Sequence, residues 1–155
     1  MARPEIKTIE NLESAFAGES MAHIKYRYFA KLARAAGDLQ TAEIFEATAD
    51  QEAMHAFGHL DLLYPAQTMT PARSLEIAIE GETYEFTTMY PGFLTDAQLE
   101  QNPLAKNEFA EQIAESKEHA EQFAAVLKKA EARFAALAKI EKRHAEAYQQ
   151  VLETL

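Results

Sequence analysis

Cysteine and tryptophan are absent from this 155-residue chain. Without a thiol there is no disulfide, no thiolate nucleophile and no cysteine-held zinc or iron–sulfur site. Glycine and proline are scarce, five of each, so long segments run without a conformational break. Basic residues are outnumbered, 15 Lys and Arg against 25 Asp and Glu, for a net charge of −10. That excess of acid argues against nucleic acid or an anionic membrane as a partner. No apolar run approaches the ~18 residues of a membrane span. The first residues, MARPEIKTIEN, lack the apolar stretch of a secretory leader, so a cytoplasmic protein is expected. What remains is 48% hydrophobic and 26% charged, the composition of a globular chain. Its length suits one domain over 1–155, and its wealth of Ala, Glu, Leu and Lys favours helix.

Apolar positions recur at helical spacing nearly throughout. Thr8 is the expected N-cap of a first helix reaching Ala36, with Gly37 ending it and Asp38 capping the next. The second helix runs to Leu63. YPAQTMTP (64–71) is a linker, and Thr70-Pro71 starts a third helix, which Pro91-Gly92 kinks or ends near Tyr90. A short helix near Thr95–Gln101 precedes the break at Asn102-Pro103, and helical pattern then continues to the C-terminus. No β pattern competes, so the fold class is all-α.

Internal repeats sharpen this reading. LESAFAGES (12–20) matches LEIAIEGET (75–83), and AEIFEATADQEAMHA (42–56) matches EARFAALAKIEKRHA (131–145). The chain thus looks like one hairpin written twice: a Gly-Glu helix followed by a Glu-x-x-His helix. Two such hairpins make a four-helix bundle in which Glu19, Glu52, Glu82 and Glu141 face one interior point. A third echo sets EFAEQIAESKEHAEQF (108–123) over RFAALAKIEKRHAEAY (133–148), with Ser116 at the position of Glu141.

Residues three apart share a helix face, so Glu52 with His55, and Glu141 with His144, can each aim at one point. Carboxylates gathered in a bundle core repel unless they are protonated or neutralised by cations. Four Glu and two His, with Glu-x-x-His from two of the helices, is a ligand set for two divalent ions. Imidazole suits iron or zinc, and the oxygen-rich remainder favours iron or manganese.

AFAGES (15–20) with Tyr26, FEATADQEAMHA (45–56), GETYEFTTMYP (81–91) and RFAALAKIEKRHAEAY (133–148) together resemble rubrerythrin, a ferritin-like diiron family. The resemblance implies a ferritin-like four-helix bundle holding two irons, oxo- or hydroxo-bridged when oxidised, with manganese or zinc as alternatives. It implies Glu19 and Glu82 as terminal carboxylates, Glu52 and Glu141 as bridges, and His55 and His144 completing the two sites. Glu85 matches a further carboxylate that exchanges with a histidine as redox state changes. Its counterpart in the first hairpin is Ala22. Tyr26 and Tyr90 match tyrosines that hydrogen-bond to ligands.

Two departures stand out. No cysteine-bearing rubredoxin domain follows, so electrons are expected from an external rubredoxin-like donor or reductase. The interval from Glu85 to Glu141 is also longer than in the family, by about the length of the third repeat. Residues 93–128 are therefore expected to be an inserted helical segment that extends the bundle, makes a dimer contact or swaps between subunits of a homodimer. A gapless alignment would instead place His119 in the fourth helix, with Ser116 where a glutamate is required. Glu141 and His144 are preferred because both ligand types are present.

Other histidines and carboxylates read more plainly. His23 is not expected to bind metal, since its repeat partner is Phe86, and His59 is expected at the surface. Glu115, Glu118 and His119 read as a solvated face, and Tyr28, Phe29, Phe45, Phe57 and Phe134 as core. The resemblance implies reduction of hydrogen peroxide to water in oxidative-stress defence. The alternatives are O₂-dependent ferroxidase or iron handling, diiron oxidation of an organic substrate, and a metal-stabilised scaffold without turnover.

Overall fold

The structure, a computed structural model, describes residues 7–153. Five α-helices follow in order: α1 (Thr8–Ala35), α2 (Leu39–Leu63), α3 (Pro71–Tyr84), α4 (Tyr90–Leu99) and α5 (Pro103–Glu153). A π-helical turn, Glu85–Met89, joins α3 to α4. No strand occurs among the described residues, and the fold is all-α. The chain forms two compact units, divided between Met69 and Thr70.

The first unit is the α1–α2 hairpin. Gly37, at φ +83°, takes the left-handed conformation that a side chain would resist. Asp38 then accepts a hydrogen bond from the Thr41 amide at 3.0 Å and so caps α2. Thr8 is already helical, and α1 begins after Lys7 with no side-chain cap. Ala42, Ala49 and Ala56 recur every seventh residue on α2 and are buried, with Ala30 buried on α1. Residues this small let the two backbones approach closely. Rings fill the gaps between them: Tyr26 and Phe29 lie 5.8 and 5.6 Å from Phe45, centroid to centroid. Arg34 clasps Glu46 through two bonds of 2.8 and 2.6 Å, and Arg27 pairs with Asp50. These pairs face water and contribute little to stability.

The second unit runs from α3 to α5. Thr70 accepts from the Arg73 amide at 3.1 Å, and Pro71 occupies the first turn of α3, where its missing N–H costs nothing. Pro91 neither ends the helix nor sharply breaks it. In α geometry its ring would strike the carbonyl of Thr87. The chain widens to a π turn instead, with the Tyr90 amide donating to the Glu85 carbonyl. Asn102 caps α5 by accepting from the Ala105 amide at 3.1 Å. Tyr90, Phe93 and Phe109 form one aromatic cluster joining α4 to α5. Ala97, Ser116 and Ala120 are the most buried residues of this unit.

Residues 93–128, expected as an inserted helical segment, are almost wholly helical. They form most of α4 and the half of α5 that packs on α3 and the π turn. The expected aromatic core is also only partly realised. Phe45 is half-buried, but Tyr28, Phe29, Phe57 and Phe134 are exposed. A two-helix layer has one inner face, and alanines occupy it.

Candidate metal centre

On the first hairpin, α1 brings Glu19 beside Glu52 and His55 of α2. One ligand atom from each lies within 4.8 Å of the other two. Glu19 and Glu52 are half-buried while His55 is open. The Glu52 carboxylate meets His55 Nδ1 at 2.9 Å, a contact within one turn of helix. Here two acidic oxygens and an imidazole nitrogen converge on one point, as the Glu-x-x-His spacing demands. His23, one turn beyond Glu19, is engaged elsewhere: its Nδ1 donates to the Ala49 carbonyl at 2.7 Å. It ties α1 to α2.

On the second unit, Glu82 of α3 and Glu85 at the start of the π turn point toward α5. His119 Nδ1 lies 3.5 Å from the Glu82 carboxylate. Ser116 donates its hydroxyl hydrogen to Glu85 at 2.9 Å. The second oxygen of Glu82, Oε2, is buried and has no hydrogen-bond partner. A buried acceptor left unpaired is costly, and a carboxylate oxygen in that position is suited to a cation. Tyr90 lies nearby. Burial, and then the charges of Glu85, Glu108 and Glu82, push its phenol above its ordinary value, so its O–H is retained through neutral pH.

The residues of α5 beside Glu82 and Glu85 come from the earlier of the two near-copies. Ser116 and His119, not Glu141 and His144, face Glu82 and Glu85. Glu141 and His144 lie about seven turns further along α5, roughly 38 Å away at 1.5 Å per residue. Both are exposed there and 4.0 Å from each other. The preference for them came from their residue types. The gapless spacing after MYP pointed to His119 instead, and that signal was in the sequence. Glu115 and Glu118 belong to the solvated face, where Gln112 and Gln122 donate to them at 3.3 and 2.9 Å. The role of Ser116 as a donor holding Glu85 has no sequence signature, because only the packing of α5 on the π turn creates it.

A family model described as Rubrerythrin matches residues 10–127. Nigerythrin from Nitratidesulfovibrio vulgaris is 39% identical over 122 residues, covering 70% of this chain and 60% of that protein. Rubrerythrin from the same organism is 38% identical over 105 residues, covering 61% and 55%. A putative rubrerythrin of Methanocaldococcus jannaschii is 36% identical over 114 residues, covering 61% and 56%. The chain thus spans little more than half the length of these relatives. A solved structure of nigerythrin in its fully reduced, all-ferrous state is similar over 84% of this chain and 70% of that one. The identity there is 34% and the TM-score 0.42.

Proposed function

The chain belongs to the rubrerythrin family, and from that premise we propose that it is a two-iron peroxide reductase. Iron would be held by Glu19, Glu52 and His55 on the first unit, and Glu82, Glu85 and His119 would be the donors on the second. Carboxylate oxygens with one imidazole per ion are the donors that iron and manganese accept. The observation that carries this reading is Glu82 Oε2, a buried and unpartnered carboxylate oxygen on the residue whose other oxygen lies 3.5 Å from His119.

Two ferrous ions, when bound, would supply the two electrons that, with two protons, convert hydrogen peroxide to two waters. The chain's own part is to hold the donors and move the protons. Glu85, bonded to the Ser116 hydroxyl, releases that bond to turn toward metal or to carry a proton. Tyr90 keeps its O–H, because burial and the neighbouring carboxylates oppose its ionisation, and it supplies a hydrogen bond beside Glu85. Tyr26, packed against Phe45, offers its hydroxyl beside the first set. Electrons return from an external rubredoxin-type donor.

The test is a comparison of oxidants. Iron-loaded protein, reduced without air, should be oxidised rapidly by one equivalent of hydrogen peroxide and slowly by dioxygen. Faster oxidation by dioxygen would overturn the peroxidase reading in favour of ferroxidase or oxidase chemistry. Failure to bind two metals per chain would remove both.

A further inference from the structure

Aligned by their repeats, the two units draw the same donor types from different places. On the first unit the carboxylates are Glu19 of α1 and Glu52 of α2, with His55 three residues on. On the second they are Glu82 of α3 and Glu85 of the π turn, with His119 of α5. Glu19 aligns with Glu82 and His55 with His119, but the remaining positions differ. Ala22 stands where the second unit has Glu85, and Ser116 stands where the first has Glu52. Each unit thus lacks the carboxylate that the other possesses. Geometry links the two differences. Ser116 is 3% exposed, and its hydroxyl donates to Glu85 Oε2 at 2.9 Å. The Glu85 carbonyl accepts from the Tyr90 amide across the widened turn, so this residue is held at main chain and side chain alike.

We propose that Glu85 and Ser116 together replace the glutamate of the Glu-x-x-His pair on the second unit. Glu85 is that unit's second carboxylate, and Ser116 is the positioning residue that keeps it at the site; this rests on the metal reading above. A buried hydroxyl needs a partner, and an ionised carboxylate is a strong acceptor for it. The bond keeps the Glu85 carboxylate against α5, the helix that also brings His119 to Glu82. Carboxylates that bind metal are commonly fixed by such a neighbour. A glutamate at 116 would instead set a third negative charge beside Glu82 and Glu85, and like charges so placed repel. On the first unit Ala22 supplies no carboxylate, so Glu52 carries the charge itself and meets His55 at 2.9 Å. The donor class is the same on both units, two carboxylates and one imidazole, which suits ferrous or manganous ion. What has moved is the element that supplies one of the carboxylates.

The test moves the carboxylate. Ferrous ion is titrated anaerobically into the full-length protein by equilibrium dialysis, and bound metal is counted per chain. The native chain should bind two ions and Glu85→Ala one. Glu85→Ala with Ser116→Glu returns the carboxylate to α5 at nearly constant side-chain volume, and should bind two again. Glu85→Ala with Ser116→Gln has the same shape without the charge, and should stay at one. Ser116→Ala alone should weaken the second ion about 10–100-fold, the usual effect of losing a residue that orients a ligand. The tighter ion should be unaffected, and both should still bind at saturation. Two ions on Glu85→Ala overturn the proposal, as does a folded Ser116→Glu double variant that stays at one. Equal restoration by Gln and Glu overturns it too. If the Ser116→Glu double variant shows no cooperative melting, the Ser116→Ala affinity decides, and a native value there overturns the proposal. A native chain that binds fewer than two ions would strike the metal reading itself, and this inference with it, before any variant is compared.

Discussion

At the scale of single residues, what distinguishes this chain is a serine in place of a carboxylate. Ser116 is 3% exposed and gives its hydroxyl hydrogen to Glu85, so it tethers a carboxylate and is not itself an acidic ligand. Ser116→Ala removes the tether and leaves Glu85 freer to turn. The expected result is unchanged metal stoichiometry with an altered rate of peroxide-driven oxidation, measured by stopped-flow absorbance. The two near-copies separate cleanly by the same logic. His119→Ala should lower bound metal from two to fewer than two per chain, whereas His144→Ala should leave it unchanged. Metal analysis after anaerobic loading checks this, and the opposite pattern would move the second unit's histidine ligand to the distal half of α5. That His119 belongs beside Glu82 was legible in the spacing after MYP. The tether was not, because a serine in a helix carries no mark of what it will touch.

At the scale of elements, caps and small-residue faces define the hairpins. Thr70 caps α3, and Thr70→Ala should cost about 1 kcal/mol of stability in denaturant unfolding. Ala49 is fully buried where α1 and α2 meet, and Ala49→Leu should destabilise by about 1–3 kcal/mol through overpacking. Acid acts on the same hairpin. The bond from Thr41 holds the Asp38 carboxyl below its ordinary value, and Arg34 holds Glu46 below its own. Groups lowered in the folded state stabilise it fully above the ordinary carboxylate range. That contribution is lost as pH falls through the lowered folded-state values. Melting temperature should therefore fall on acidification, and Asp38→Asn should flatten the dependence. The Asp38 and Thr70 caps were readable directly, since capping depends on residues within one turn. The π turn was not: Pro91 announces a disturbance, but whether the helix stops, bends or widens depends on what packs against it.

At the scale of the whole molecule, carboxylates facing inward make stability depend on cations. A ligand that binds the folded state alone at 100 times its dissociation constant adds about 2.7 kcal/mol. Ferrous or manganous ions should accordingly raise the melting temperature, and Glu82→Gln should reduce that rise by removing the oxygen now buried without a partner. Calorimetry with and without metal checks it. A melting temperature indifferent to metal would contradict the reading of Glu82.

Sequence alone determined the all-α class, the break at Gly37-Asp38, the cap at Thr70 and the doubled Glu-x-x-His pattern, because each follows from local conformation or from periodicity. It also contained the family, in AFAGES, EAMHA and GETYEFTTMYP. It could not choose between ESKEHAEQF and IEKRHAEAY as the helix facing Glu82 and Glu85. The two lie 25 residues apart, close to seven full turns of helix, so both present the same face and no periodicity separates them. Only the tertiary structure decided, since α3 and the π turn are long enough to cover just one of the two copies. They cover the first, and the second, with Glu141 and His144 at its centre, is left bare.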